Sequence, residues 1–120
     1  MKLHRANQNL TELTIQEGVI KCWCNNNQLT TLVLPESCRE CYAHNNKLTN
    51  LTLSENTEYV CCISNKLTSL DLPEKLQYLF CKNNLINKLS APKFCKTIRC
   101  DLLAEIDFKH CKKIKIEFCI

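Results

Sequence analysis

Eleven cysteines in 120 residues are the first chemistry this chain offers. Cys22-x-Cys24 and Cys38-x-x-Cys41 superficially resemble the two halves of a zinc ribbon, which needs four ligands converging on one ion. A short chain so rich in cysteine also suggests a disulfide scaffold, although an odd count leaves one thiol unpaired in a monomer. His44 and Cys61 supply the minimum for nucleophilic catalysis, a thiol and a base. No orienting carboxylate or oxyanion donor accompanies them, and a single glycine, Gly18, leaves no material for a phosphate-cradling loop. The eight aromatic residues are a third resource, because Trp and Tyr are enriched at the centres of binding interfaces.

Which of these chemistries is available depends on where the backbone puts each group, and the backbone is repetitive. The stretch Leu67 to Asn84 recurs with a period of 19 residues. Leu10, Leu29, Leu48, Leu67 and Ile86 form one apolar column, Leu13, Leu32, Leu51, Leu70 and Leu89 a second, and Ile15, Leu34, Leu53, Leu72 and Ala91 a third. A turn column follows with Gln16, Pro35, Ser54, Pro73 and Pro92. The chain then turns apolar again at Val19, Cys38, Thr57, Leu76 and Cys95, and at Leu3, Cys22, Cys41, Val60, Leu79 and Ile98. Arg5, Cys24, Ala43, Cys62, Cys81 and Cys100 come next, and Gln8, Asn27, Asn46, Asn65 and Asn84 close the unit. A fixed period of this size marks a repeat architecture in which each unit buries its core only against its neighbours.

The segment Leu76-x-x-Leu79-x-Cys81-x-x-Asn84-x-Ile86 resembles the leucine-rich repeat signature, and Cys38-x-x-Cys41-x-Ala43-x-x-Asn46-x-Leu48 fits it with smaller side chains. The Leu-Pro second half resembles short bacterial repeats of that family, and the recurring strand cysteine is similar to the cysteine ladder of some internalin-type proteins. The resemblance covers roughly Leu3 to Phe108. It departs from the pattern at Arg5 and Gln8 in the first copy. In the last copy Leu103 stands at the Asn position, and Leu103, Ile106 and Phe108 match only with two residues deleted. These departures read as terminal caps.

The arm Leu-Thr-x-Leu-x-Leu alternates with period two, and the proline at its end disfavours a helix. Nineteen residues per turn leave little space for a convex helix. The expected fold is therefore mostly β: one leucine-rich repeat domain over 1–120, a solenoid of about six short coils with a parallel sheet and little or no helix. Residues 1–20 form an N-terminal cap coil, 21–92 the regular repeats and 93–120 an irregular C-terminal cap. At about 4.8 Å per strand the body should be roughly 30 Å long. Asn replaces Gly at the turn pairs Asn26-Asn27, Asn45-Asn46 and Asn83-Asn84, where it tolerates the left-handed conformation. In Lys109 to Phe118 the alternation is that of an edge strand, with lysines that discourage strand addition.

This register recasts the cysteines. Eight of them fall in columns filled elsewhere by Leu, Ile, Val or Ala, so they read as reduced core residues. Cys61, Cys111 and Cys119 fall out of register and are the candidates for reactivity. No metal, cofactor or catalytic residue is assigned. The side chains between core columns point outward onto the concave sheet. One outward column is His4, Trp23, Tyr42, Cys61, Phe80 and Arg99, and the other is Lys2, Lys21, Glu40, Tyr59, Tyr78 and Thr97. Trp23, Tyr42, Tyr59, Tyr78 and Phe80, with Lys21, Glu40, His44 and Arg99, form the candidate partner-binding surface. The Thr11, Thr30, Thr49 and Thr68 column reads as ordinary exposed strand.

The expectation is a non-enzymatic protein-binding module, its partner an unknown protein, with homodimerisation through the same face included. The resemblance to repeats of pathogenic bacteria or large DNA viruses implies interference with a host protein. One alternative is a single-stranded nucleic-acid binder that combines the aromatics with Lys82, Arg99, Lys109, Lys112, Lys113 and Lys115; a net charge of only +4 weighs against it. A self-associating structural protein is another. The N-terminus lacks a signal-peptide apolar run and no segment approaches a membrane span, so the expected location is intracellular, in the cytoplasm of the producing or host cell.

Overall fold

The computed structural model describes residues 1–102, 104–111 and 113–119. Its described residues contain no helix. Eleven strands follow in order: β1 Lys2–His4, β2 Lys21–Trp23, β3 Thr31–Val33, β4 Glu40–Tyr42, β5 Asn50–Thr52, β6 Tyr59–Cys61, β7 Tyr78–Phe80, β8 Lys88–Ser90, β9 Thr97–Asp101, β10 Glu105–Asp107 and β11 Lys115–Cys119. A seven-stranded parallel sheet runs β1-β2-β4-β6-β7-β9-β11, and two parallel pairs, β3 with β5 and β8 with β10, lie on the arms. The chain is thus a parallel β-solenoid of about six short coils, 37 Å along its longest axis.

The 19-residue period is the strand register itself. Leu3 pairs Cys22, Cys22 pairs Cys41, Cys41 pairs Val60, Val60 pairs Leu79 and Leu79 pairs Ile98. Beyond Ile98 the period shortens: Ile98 pairs Ile116 after 18 residues, and on the arm Leu89 pairs Ile106 after 17. The two-residue deletion expected in the last copy is therefore real at Ile106. It does not extend to Phe108, which is 55% exposed where Ala91 is buried. Leu103 and Lys112 lie outside the described residues. β11 is the C-terminal edge strand, but it begins at Lys115, because Lys109 and His110 belong to a turn.

In β2, β4, β6 and β7 the middle residue is buried and its neighbours face outward, as strand alternation demands. Eight cysteines, from Cys22 to Cys100 and excluding Cys61, pack into the core at 2% exposure or less, and all eleven are free thiols. Their burial disfavours the thiolate, pushing Cys38 up to about 12 and Cys95 and Cys100 up to about 11. The expectation for Cys111 needs correcting. Its N–H bonds to the Phe108 carbonyl at 3.1 Å as Cys95 N–H bonds to Pro92 at 3.1 Å, and its Sγ donates to the Cys95 carbonyl at 3.1 Å. Cys111 thus continues the buried Cys95 column, and the shortened last coil hid this from the 19-residue count.

One asparagine per coil ties each turn to the one before it. Asn46 Oδ1 accepts from Leu29 N–H at 3.0 Å, while its Nδ2 donates to the carbonyls of Cys24 at 3.0 Å and Ala43 at 3.1 Å. Asn27, Asn65 and Asn84 repeat the pattern. Neighbouring asparagines share carbonyls: Cys24 accepts from Asn27 and Asn46, Ala43 from Asn46 and Asn65, and Cys62 from Asn65 and Asn84. The residue before each sits in the left-handed region, Asn26, Asn45 and Asn83 at φ 58° and Ser64 at φ 59°, as does Asn7 (φ 58°) before Gln8, which holds the equivalent position in the first coil. At the C-terminal end Asp101 takes over, its two carboxylate oxygens accepting from Asn83 N–H at 2.9 Å and Asn84 N–H at 3.1 Å.

The third coil departs from the pattern twice, and the departures compensate. Ser54 replaces the proline and Thr57 replaces an apolar core residue, yet Thr57 is fully buried. Thr57 Oγ1 accepts from Ser54 N–H at 3.0 Å, a donor the prolines of other coils do not have, and both hydroxyls reach the Cys38 carbonyl.

Candidate functional site

Parallel in-register strands place equivalent side chains one strand spacing apart, about 4.8 Å, which is close to ring-stacking distance. On the outward face of the seven-stranded sheet this produces a continuous ladder. His4 stacks on Trp23 with ring centroids 4.6 Å apart and planes 8° from parallel, and Trp23 stacks on Tyr42 at 5.2 Å and 3°. The next position in that column is Cys61, too small to continue the stack. Tyr59 fills the gap from the neighbouring column, its tilted ring 5.2 Å from Tyr42 and 5.4 Å from Phe80, with Tyr78 beside it at 6.2 Å. Cations close the C-terminal end: the Arg99 guanidinium lies 5.3 Å from the Phe80 centroid and Lys96 Nζ lies 5.9 Å from that of Tyr78.

Trp23, Tyr42, Tyr59, Tyr78 and Phe80 are half-buried, each ring partly covered by its neighbours, whereas His4 at the N-terminal end is exposed. Polar groups fix the flanks. Lys21 Nζ meets Glu40 at 3.0 Å, and the Tyr42 hydroxyl donates to Glu40 at 2.9 Å. Burial opposes ionisation of Glu40, but these two partners outweigh it and hold the carboxyl below its usual range. Burial first, then the hydrogen bond to Glu40 and that carboxylate's charge, pushes the Tyr42 phenol up to about 12. At the other end Glu117 pairs with Arg99 at 2.6 Å and with Lys115 at 2.9 Å.

The structure thus brings together Trp23, Tyr42, Tyr59, Tyr78, Phe80, Lys21, Glu40 and Arg99. His44 lies apart from them. It follows the end of β4, its backbone carbonyl accepts from Asn26 N–H at 3.0 Å, and its ring belongs to no stack among the described residues. Nδ1 of His44 is buried without a hydrogen-bond partner, and burial lowers the pKa of the imidazole. Burial likewise raises that of Cys61, so the surroundings oppose charge separation between the two. Three residues outside the expected set touch these side chains: His4 stacks on Trp23, Lys96 lies over Tyr78 and Glu117 pairs with Arg99. The column assignment already put His4 on this face, whereas the 18-residue last step concealed Glu117 and only the side-chain reach of Lys96 joins it to Tyr78.

Among the described residues no three His, Cys, Asp or Glu side chains converge as metal ligands, and no helix is long and apolar enough to cross a membrane. No protein-family model matches the chain, and no curated protein matches it.

Proposed function

We propose that the chain is a leucine-rich repeat module that binds another protein through the aromatic sheet face and performs no catalysis. The observation that carries this reading is the unbroken ladder from His4 to Arg99. The rings are immobilised by one another and by a rigid parallel sheet, so docking against them costs little additional side-chain ordering. Exposed aromatic surface of this continuity marks a recognition site more often than a structural cover. The family assignment draws its support from the inward leucine and cysteine columns and from the turn asparagine at the signature position.

The ladder weighs against single-stranded nucleic acid. Base stacking needs free ring faces, and here the faces of Trp23 and Tyr42 are taken up by their neighbours. What the stacked part of the ladder offers a partner is ring edges, and beyond it the tilted Tyr59, Tyr78 and Phe80 rings add surface suited to side-chain packing. By sequence resemblance to bacterial and large-virus repeats, the proposed partner is a host protein met in the cytoplasm.

The test is capture from cell lysate, with and without nuclease, by the native chain and by a variant carrying Trp23→Ser, Tyr42→Ser and Tyr78→Ser whose circular dichroism matches the native spectrum. A discrete protein held by the native chain alone, surviving nuclease, is the expected result. Equal capture by both chains, or retention of nucleic acid only, overturns the reading. Sedimentation of each chain at several concentrations reads out self-association through the same face.

A further inference from the structure

Beside the C-terminal end of the ladder, Lys93, Phe94, Cys95, Lys96, His110 and Lys113 line an open hollow of about 440 Å³. Its apolar element is Phe94, 54% exposed, with Lys93 Nζ 5.4 Å from the ring centroid. No carboxylate lines it, and among the described residues none of its three lysines is in an ion pair. Glu74 lines the adjoining hollow with Lys93 and His110, so the charge there is only partly offset. Lys96 is shared: it borders the hollow and sits over Tyr78, making hollow and aromatic face one continuous surface. On that face Lys2, Lys21, Arg99 and Lys115 stand against three carboxylates: Glu40 and Glu117, both already in ion pairs within the chain, and Asp101, whose two oxygens accept from the Asn83 and Asn84 N–H groups.

From this charge complementarity we infer that the hollow receives an acidic segment of the protein partner, a run of carboxylates next to an aromatic or large apolar side chain. The ammonium groups of Lys93, Lys96 and Lys113 take the carboxylates, and the apolar side chain packs on the free side of Phe94. The inference rests on the protein-binding reading and supplies the chemistry of the partner at one end of the same surface. Association through it weakens as salt rises, because the contacts lie near solvent within reach of screening.

The probe is a blocked peptide, acetyl-Glu-Glu-Phe-Glu-Glu-amide, titrated into isotopically labelled protein and followed by amide NMR. Its Gln-for-Glu counterpart and inorganic phosphate serve as separate arms. The expected result is a saturable shift of the Phe94, Cys95, His110 and Lys113 amides with the acidic peptide, absent with the Gln peptide. Affinity should fall at least tenfold in a Lys93→Gln, Lys113→Gln variant and remain unchanged in Lys109→Gln, a lysine outside the hollow. Equal binding by the double variant, shifts spread over all lysine-bearing segments, or an equal effect from phosphate alone overturns the inference. Lysate capture separates the two proposals. Loss with the aromatic variant and full retention with the lysine variant leaves the face standing and removes the hollow; peptide binding without any aromatic-dependent capture does the reverse.

Discussion

Replacing Asn46 by alanine removes three hydrogen bonds at the centre of the solenoid, and their sharing pattern sets the size of the effect. The two carbonyls Asn46 serves keep a second partner, since Asn27 still donates to Cys24 and Asn65 still donates to Ala43. Leu29 N–H, in a residue with no exposure, loses its side-chain acceptor altogether. An unsatisfied buried donor costs about 1 to 3 kcal/mol, and each weakened carbonyl adds about 0.5 to 1 kcal/mol. The expected loss is therefore about 3 kcal/mol, a large fraction of the ~5 to 15 kcal/mol that holds a domain folded. Asn45→Ala is the matched control one residue away. It gives up only an exposed bond from Asn45 Nδ2 to Asn26 Oδ1 and the left-handed preference of asparagine, together about 1 kcal/mol. Asn46→Asp keeps the acceptor but sets a buried carboxylate against two carbonyls, and should be no better than alanine. Urea unfolding in reducing buffer, followed by circular dichroism, gives the three midpoints. If the Asn46→Ala midpoint falls no further than that of Asn45→Ala, the asparagine column does not hold the coils together and the reasoning fails.

Three further outcomes follow from the same geometry. A thiol whose native pKa lies above its unfolded value of 9.0 keeps its proton when folded and loses it when unfolded, so stability is complete below pH about 9 and falls above it; at pH 10.5 Cys38, Cys95 and Cys100 each cost about 2 kcal/mol, so circular dichroism in reducing buffer should show unfolding near that pH, and a Cys38→Val variant with an unchanged pH slope would contradict this. Ser64→Asn puts a residue tolerant of φ 59° into the one turn that lacks it and can keep the bond from Asn83 Nδ2, so the urea midpoint should rise by the equivalent of about 0.5 to 1 kcal/mol; a fall would refute the turn account. Thr57→Val strands the Ser54 N–H and should cost about 1 to 2 kcal/mol, whereas adding Ser54→Pro removes that donor and should recover most of the loss; additive destabilisation in the double variant would show the two sites to be uncoupled.

The period was legible because a solenoid is nearly one-dimensional: a 19-residue step in sequence is one strand spacing in space, so inward and outward columns could be written from Leu3 to Ile98 without coordinates. That periodicity also sorted eight cysteines into the core and put Trp23, Tyr42, Tyr59, Tyr78 and Phe80 on one face. It failed where the step changed. Cys111 and Glu117 belong to columns that a fixed count of 19 cannot reach, since the last coil is shorter by different amounts on its two sides. It also stopped at column level. Ring contacts depend on side-chain torsions and on neighbours two strands away, so Tyr59 crossing to bridge the gap at Cys61, Lys96 reaching Tyr78 and the Ser54–Thr57 exchange were decided by packing. Sequence alone determined the coil, its register and which face carries the aromatics, because these follow from backbone periodicity; the continuity of the ladder, the termination of the asparagine column by Asp101 and the basic hollow beside it exist only where separate coils meet.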